Sequence, residues 1–227
     1  MNKLFLPYDI YERHKKIGSL IGKDQTVLDV GGELEHLDKF CDPKKIIVAN
    51  LNTGDIIIKK NSLPFKKNSF DVVCAIDVLE HIPHKDRKQF VQRLIDVASR
   101  KVILSFPIYT NRHAEYEKEM LKWLNNHGQN IDYLKEHVRL GLPTVQEVKT
   151  ITKSYKNKIS FSGNIAINRI IFKLYMTDPK LKGIRRLTYF FKHLIYFLTN
   201  QILYVGLADK EFSKNVNRAY VTVYKKQ

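Results

Sequence analysis

The chain has few of the residues on which several common folds and sites depend. It contains 2 cysteines and 1 tryptophan in 227 residues. Cys41 and Cys74 lie far apart and form no CxxC pair, so neither a disulfide framework nor a cysteine-rich zinc site is supported. We therefore expect a protein of a reducing compartment, the cytosol.

Long apolar runs are also missing. The N-terminal stretch MNKLFLPYDIYERHKK is too highly charged, and its apolar run too short, for a signal peptide. Residues 184–207 are rich in apolar side chains but are interrupted by Lys192, His193, Asn200 and Gln201, which argues against a membrane span. A hydrophobic content of 44% nevertheless suffices for one core.

Acidic residues are scarce in the C-terminal third. Residues 151–227 hold 15 lysines and arginines against 3 acidic residues, a net charge of +12 out of +16 for the whole chain. Such asymmetry is typical of a surface that meets phosphate, nucleic acid or anionic lipid. An ordinary solvated basic face would give the same count, so both interpretations stay open.

Glycine is scarce where a nucleotide-binding turn needs it. Residues 27–36, VLDVGGELEH, begin like such a turn, but Gly31 and Gly32 are followed by Glu33 and Glu35. A carboxylate beside the turn would repel the pyrophosphate of a dinucleotide, whereas it tolerates a cationic ligand. The turn therefore argues against a nicotinamide cofactor.

Short apolar segments alternate with amphipathic ones along the chain. The predicted strands are 26–30, 45–51, 55–58, 70–77, 101–107, 158–161 and 219–226, and the predicted helices are 8–22, 35–40, 85–100, 115–124 and 144–151. This alternation predicts an α/β fold with a mostly parallel sheet covered on both faces. Ligands of such sheets bind beyond the carboxyl ends of the strands.

Two segments carry a family resemblance. VLDVGG at 27–32, followed by SLPFKKNSFDVVCAIDVLEHIP at 62–83, resembles the class I S-adenosylmethionine-dependent methyltransferases, specifically the type 11 branch. The resemblance covers roughly residues 20–110. It implies a doubly wound, mostly parallel seven-stranded sheet of the Rossmann-like methyltransferase fold, with a single methyltransferase-like domain over residues 1–227. It also implies S-adenosylmethionine as the cofactor. The resemblance does not decide the methyl acceptor: a glycan, lipid-linked or small-molecule hydroxyl is our expectation, and nucleic acid stays open.

The resemblance also places the cofactor contacts. They are Asp29, Gly31, Gly32, Asn50, Leu51, Asn61 and Asp77. Gly31 would let the backbone approach the cofactor. Asp29 would hold a water or the ammonium group of the cofactor, or alternatively satisfy backbone amides of the turn.

Two of these positions depart from the family pattern. Asn50 stands where the family has an acidic residue for the ribose hydroxyls, and Lys59 stands where an acidic residue reads the adenine amino group, a role for which Asn61 is the substitute. A neutral amide accepts a weaker hydrogen bond than a carboxylate does. An aspartate at position 50 would accordingly be expected to bind the ribose more strongly.

Four residues are candidate catalytic groups. Methyl transfer from a sulfonium needs proximity and alignment, and a general base only for an unactivated hydroxyl. Asp77 and His81 are four residues apart and would share one face of a helix. His113 and His137 are further candidate bases. Each histidine has an alternative role, as a half-buried structural residue for His81 and as an ordinary surface or loop residue for the other two.

No metal site is expected from the sequence. The 8 histidines show no HxxxH or HxH spacing tied to cysteines. Glu80 and His81 are adjacent but do not by themselves make a site.

Residues 164–207 form a basic amphipathic insert before the last strand. On a helical wheel one stripe of the insert is apolar, consisting of Leu187, Phe191, Leu194, Leu198, Ile202 and Val205. The insert is either a helical lid over the acceptor pocket or an interfacial helix facing an anionic membrane surface or a lipid-linked substrate. The second alternative implies peripheral attachment at the inner face of the membrane.

A binding module is the competing function. In that case the pocket has decayed and the basic C-terminal third docks on RNA or on a membrane. Nucleic acid is the less favoured partner, because the chain has no recognisable RNA-binding module. The oligomeric state stays open.

Overall fold

A computed structural model describes residues 3–34, 36–59 and 62–225. Its seven strands form one sheet. They are β1 (Thr26–Val30), β2 (Lys45–Asn50), β3 (Ile56–Ile57), β4 (Phe70–Ile76), β5 (Ala98–Pro107), β6 (Lys156–Ser162) and β7 (Arg218–Tyr224).

The strand order is β3-β2-β1-β4-β5-β7-β6. Strands β1 to β5 pair in parallel, and β7 lies antiparallel to both β5 and β6. The order reverses between β1 and β4. This arrangement confirms the predicted doubly wound, mostly parallel seven-stranded sheet.

Seven α-helices surround the sheet in the part of the chain that is described. They are α1 (Tyr8–Gly18), α2 (His84–Val97), α3 (Asn111–Asn126), α4 (Asp132–Leu140), α5 (Val145–Thr152), α6 (Ile165–Met176) and α7 (Lys182–Leu207). Side chains of β1 alternate between two cores: Leu28 and Val30 belong to the layer of α2, and Val27 to the layer of α1. The sheet is thus covered on both faces.

The predicted helix over 35–40 is wrong. Only one 3₁₀ turn forms there, at Leu37–Lys39, and Glu35 lies outside the described residues. The connection from Gly31 to Lys44 is short, and Pro43 prevents a helix from continuing into β2.

Helix α4 was not predicted. Only Leu134 and His137 of this helix are buried. Gly141, with a φ of 75°, ends it.

Helices α6 and α7 form the connection between β6 and β7 in the chain. Helix α7 packs against α1 and against the N-terminal segment, where the Asn200 amide donates to the Leu4 and Leu6 carbonyls at 2.9 and 2.8 Å. The Lys192 ammonium donates to the Tyr175 and Thr177 carbonyls at the end of α6. The face of α7 that touches the protein therefore contains its buried polar side chains, Lys192 and Asn200, together with Tyr196 and Leu207.

The apolar stripe of α7 points away from the protein. Every residue of the predicted stripe is exposed, from 45% for Leu194 to 85% for Val205. Over the residues described, the structure contains no helix with the length and hydropathy of a membrane span.

Candidate active site

A cavity of about 320 Å³ lies beyond the carboxyl ends of β1, β2 and β4. This is the edge where the strand order reverses, as expected for ligand binding in a doubly wound sheet. Five of the residues singled out from the sequence line this cavity, namely Gly31, Asn50, Leu51, Asp77 and His81. Apolar side chains complete its walls, among them Val30, Ile58, Leu63, Val78 and Phe90.

The double glycine makes the turn at the end of β1. Gly31 has a φ of 79°, and its N–H donates to the Ala49 carbonyl at 2.8 Å. A Cβ on Gly31 would overlap Cγ2 of Val78, and a Cβ on Gly32 would overlap the Asp29 carboxyl group. Both positions therefore exclude side chains, which keeps the backbone open to the cavity.

Asp29 lies in β1 beneath Gly32 and does not line the cavity. Its side chain is fully buried, and its Oδ1 atom accepts no hydrogen bond from the described residues. Burial raises the pKa of Asp29 to about 7. A buried carboxyl oxygen without a donor is suited to a cationic or hydrogen-bonding ligand group.

Asn50 stabilises the glycine turn through side-chain hydrogen bonds. Its amide nitrogen donates to the Gly32 carbonyl at 2.8 Å and to the Gly31 carbonyl at 3.3 Å, while its Oδ1 accepts from the Leu51 N–H at 2.6 Å. An aspartate could accept from Leu51 but could not donate to the two carbonyls. These hydrogen bonds to the turn explain why position 50 holds an amide and not a carboxylate. The sequence alone did not reveal them.

One of the other departures from the family pattern is at the same cavity. Lys59 lines it. The Glu33 side chain is 70% exposed, and its carboxylate lies 3.4 Å from Nδ1 of His36. Asn61, the predicted substitute at the adenine position, lies outside the described residues, as does Glu35.

Asp77 follows β4 in a left-handed conformation with a φ of 53°. Its carboxylate lies 2.9 Å from the Arg13 guanidinium and also contacts Arg218. Burial alone would raise the pKa of Asp77, but the charges of Arg13 and Arg218 outweigh burial and lower it. Asp77 is therefore a fixed anion, and the arginines occupy the oxygens that a general base would need.

Asp77 and His81 do not share a helix face. The segment after Asp77 is a single 3₁₀ turn at Leu79–His81, so the side chain of His81 points away from Asp77 and towards α4. Nδ1 of His81 lies 2.8 Å from the Glu136 carboxylate.

His137 of α4 completes a cluster with this turn. Its Nε2 lies 3.3 Å from Nε2 of His81 and 4.0 Å from a carboxylate oxygen of Glu80. Its Nδ1 lies 2.9 Å from the Glu117 carboxylate. The structure thus joins two predicted catalytic histidines that are 56 residues apart in the chain.

The environments of this cluster shift its pKa values in opposite directions. Burial, with the nearby charge of His137 second, lowers the pKa of His81. Burial, with the charge of Asp77 second, raises the pKa of Glu80 well above its ordinary range. Such divergence between neighbouring groups is common at functional sites.

His113 is buried on α3 and does not line the cavity. Its Nδ1 donates to the Ile108 carbonyl at 2.8 Å, and its Nε2 lies 3.9 Å from Glu117. Burial lowers its pKa. His113 is thus held by the backbone of its own segment, next to Glu117.

Sequence reasoning missed the charged partners of the site. They are Arg13, Glu117, Glu136 and Arg218. Arg218 reaches Asp77 because β7 inserts antiparallel beside β5, a pairing that no local pattern announces. The only hint in the sequence was that Glu117 follows His113 by four residues and that Glu136 directly precedes His137.

Comparison with known proteins identifies the domain. Residues 28–106 match the family model described as a methyltransferase domain, of the type 11 branch. No curated protein sequence matches the chain.

Solved structures share the fold at low sequence identity. A Thermotoga maritima S-adenosylmethionine-dependent methyltransferase, described as a possible histamine N-methyltransferase, superposes with a TM-score of 0.56 at 10% identity, covering 98% of this chain and 93% of that one. The plantazolicin methyltransferase BpumL, solved with S-adenosylhomocysteine, gives a TM-score of 0.52 at 13% identity, with coverages of 97% and 85%.

A third similar structure belongs to a longer protein. Phosphoethanolamine N-methyltransferase 2 of Haemonchus contortus gives a TM-score of 0.51 at 13% identity over 93% of this chain. The chain spans about half the length of that protein, 51%.

The fold and the matched segment agree with each other. Residues 28–106 carry the methyltransferase-domain pattern of the type 11 branch, as the sequence predicted, and the sheet is that of the Rossmann-like methyltransferase fold.

Proposed function

We propose that the protein transfers a methyl group from S-adenosylmethionine to a hydroxyl of a lipid-linked or glycan-linked acceptor at an anionic membrane surface. The observation that carries the choice of acceptor is the exposed apolar stripe of α7 on a helix without acidic residues. The cofactor rests on the methyltransferase domain and on the cavity at the strand ends.

The residues around the cavity fit the cofactor. Bound there, S-adenosylmethionine supplies an electrophilic methyl group on a sulfonium. Gly31 would give it access to the backbone, and Leu51 and Leu63 would offer apolar contact to the adenine ring. Asp29 carries a buried oxygen without a donor, which suits the ammonium group. No pyrophosphate needs to be accommodated, which agrees with a carboxylate at Glu33.

Calorimetry with S-adenosylhomocysteine tests the cofactor site. Gly31→Ala should abolish measurable binding, because the new methyl group overlaps Val78 and forces the turn out of shape. Gly128→Ala is the matched control: Gly128 also has a positive φ, 67°, but no atom lies within 4 Å of its added Cβ.

The two outcomes separate the competing functions. Loss of binding in Gly31→Ala alone supports the cofactor site. Wild-type protein that does not bind S-adenosylhomocysteine at millimolar concentration would favour the binding module, in which the fold serves attachment only.

The membrane part of the proposal starts from how α7 is attached. Lys192, Tyr196 and Asn200 face the protein, so the stripe is left for another surface. Isolated exposed apolar side chains are ordinary, but a continuous stripe along a 26-residue helix marks an interaction site.

Charge selects an anionic bilayer as the partner of this stripe. Helix α7 has 4 lysines and arginines and no acidic residue, and three of these cations, Lys182, Arg185 and Arg186, are exposed in its first turns. Cations near an anionic leaflet each add about 1 kcal/mol of binding free energy. A shallow, in-plane helix with its apolar side in the interface satisfies both features.

Vesicle flotation tests this attachment. Wild-type protein should float with phosphatidylserine-containing vesicles at low salt and lose most of the attachment in high salt. Arg185→Glu with Arg186→Glu should abolish flotation, whereas Lys85→Glu with Lys88→Glu, the same charge change on the exposed side of α2, should leave it unchanged.

The apolar contribution has its own pair of variants. Ile202→Glu, on the stripe, should weaken flotation, and Ile57→Glu, at a residue of similar exposure on β3, should not. If the wild type stays unbound and forms a dimer that Ile202→Glu dissociates, the stripe is a contact between two copies and the membrane proposal fails.

A further inference from the structure

The cluster after β4 presents three potential metal ligands at one point. Glu80 and His81 come from the 3₁₀ turn, and His137 comes from α4. One ligand atom from each of these side chains lies within 4.8 Å of the other two.

The hydrogen bonds of the two histidines fix their tautomers. Nδ1 of His81 faces the Glu136 carboxylate, and Nδ1 of His137 faces the Glu117 carboxylate. Ionised carboxylates only accept hydrogen bonds, so both Nδ1 atoms carry the ring proton. In neutral imidazoles both Nε2 atoms are then bare lone pairs.

These two lone pairs face each other at 3.3 Å. Glu80 adds two carboxyl oxygens to this point, since it is fully buried and neither oxygen has a hydrogen-bond partner among the described residues. Buried nitrogen and oxygen atoms that lack hydrogen-bond partners and converge on one point are suited to a bound cation.

We propose that Glu80, His81 and His137 bind a divalent first-row transition metal, and that this metal holds the acceptor hydroxyl beside the cofactor cavity. The proposal deepens the proposed function and rests on it for the acceptor. Imidazole ligands favour zinc, cobalt, iron or manganese over calcium and magnesium, which prefer oxygen ligands alone.

The distances agree with a shared metal ion. Two imidazole nitrogens that each lie about 2.0–2.1 Å from one metal, at tetrahedral or octahedral angles, are about 2.8–3.4 Å apart. The observed separation of the two Nε2 atoms is 3.3 Å. A Glu80 oxygen lies 4.0 Å from Nε2 of His137.

The outer partners follow the pattern of metal-bound histidines. Such a histidine donates its other ring N–H to a carboxylate or carbonyl, which orients the ring and raises its basicity. Glu136 and Glu117 hold these two positions, and His113 in turn lies 3.9 Å from Glu117.

The position of the cluster connects it to catalysis. His81 and Glu136 line the cavity that begins at the glycine turn. Three protein ligands leave further coordination positions for water or substrate oxygen. A hydroxyl bound there is easier to deprotonate, since a bound metal lowers the pKa of its oxygen ligands.

Cobalt(II) titration of chelator-treated protein tests the site. The wild type should bind one Co²⁺ per chain, with the visible absorption of a nitrogen- and oxygen-ligated ion. Glu80→Gln and His81→Ala should each weaken the affinity more than about tenfold, and Glu117→Gln by about 10–100-fold. Circular dichroism and urea unfolding show whether each variant is folded.

His127→Ala is the matched control, because His127 is exposed and stacks on Trp123 away from the cluster. It should bind Co²⁺ like the wild type. A wild type without saturable Co²⁺ binding, or with binding that Glu80→Gln leaves unchanged, overturns the proposal in favour of a proton shared by the histidines. S-adenosylhomocysteine binding by the metal-free protein is measured in parallel, so failure of the metal site is distinguishable from failure of the cofactor site.

Discussion

Helices α2 and α7 are both amphipathic, yet they bury opposite faces. Helix α2 packs Phe90, Leu94 and Val97 against the sheet. Helix α7 packs Lys192 and Asn200 against the protein and leaves Leu187, Leu194 and Leu198 outside. An apolar stripe therefore does not by itself identify the core-facing side of a helix.

The partners available beneath each helix explain the difference. Beneath α7 lie backbone carbonyls that accept hydrogen bonds from Lys192 and Asn200, at the carboxyl end of α6 and in the N-terminal segment. An ammonium near a helix carboxyl end also interacts favourably with the helix dipole. Beneath α2 lies the apolar face of the sheet, which offers no such acceptors.

The largest expected effect is a change in the free energy of unfolding that distinguishes the apolar side of α2 from the apolar stripe of α7. Leu94→Ala removes a fully buried side chain of α2 and should lower the free energy of unfolding by about 3–5 kcal/mol. Leu194→Ala, on the exposed stripe of α7, should change it by less than about 0.5 kcal/mol. Urea unfolding measures both. A large loss in Leu194→Ala would mean that the stripe is covered in solution.

A second test compares two buried ionisable side chains. The Oδ1 atom of Asp29 has no hydrogen-bond donor among the described residues, whereas Lys192 donates to two carbonyls. The pKa of Asp29, about 7, lies above the ordinary 3.8 of an unfolded aspartate, so its charge costs stability as pH rises from about 4 to about 7. Asp29→Asn removes this cost. The variant should be more stable than the wild type by about 1 kcal/mol at pH 4.5 and about 3 kcal/mol at pH 6.

The same substitution should weaken S-adenosylhomocysteine binding, because the ligand ammonium loses its anion. A variant that is more stable than the wild type but binds the ligand more weakly is the result expected for a buried charge that serves ligand binding. Equal stability of the two proteins at pH 4.5 and pH 6 would show that Asp29 already has a partner in the unliganded protein.

Lys192 provides the complementary case on α7. Lys192→Met keeps the apolar stem but leaves the Tyr175 and Thr177 carbonyls without their donor, so unfolding should be easier by about 1–3 kcal/mol. Lys88→Met on the exposed side of α2 is the control and should be nearly neutral. Thermal denaturation of the pair is sufficient. If both variants match the wild type, the polar face does not attach α7.

The smallest effect concerns Asn50, whose amide also donates to backbone carbonyls. Asn50→Asp should destabilise the glycine turn by about 1 kcal/mol and weaken cofactor binding, because a carboxylate would face two carbonyl oxygens. The family pattern alone predicts the opposite, a gain in ribose binding. Calorimetry with S-adenosylhomocysteine decides between them.

Much of the fold could be predicted because apolar periodicity is local. The strands at 26–30 and 70–76 and the helix at 84–97 have patterns that read directly from neighbouring residues. The helix at 132–140 was not predicted, and the helix predicted over 35–40 is replaced by a single 3₁₀ turn.

The site was predictable only in part, for the same reason. Gly31, Asn50 and His81 follow strand ends and could be located from the sequence. The link of His81 to His137, and of Asp77 to Arg218, joins residues from distant segments that only the folded chain brings together. The buried face of α7 also depends on the backbone carbonyls beneath the helix. A hydropathy pattern does not record such contacts.

The pairing of β6 with β7 has a consequence for chain length. Ser162 and Arg218 are opposite each other in the ladder, so the whole segment 163–217 is a hairpin connection whose two ends the sheet already holds together. For such a connection the entropy of closure grows only logarithmically, by about 0.6 kcal/mol for each doubling of its length. The sheet therefore puts little thermodynamic limit on what is inserted there, and the stretch that carries α6 and α7 can be lengthened, shortened or exchanged at small cost to the strands that build the cofactor cavity.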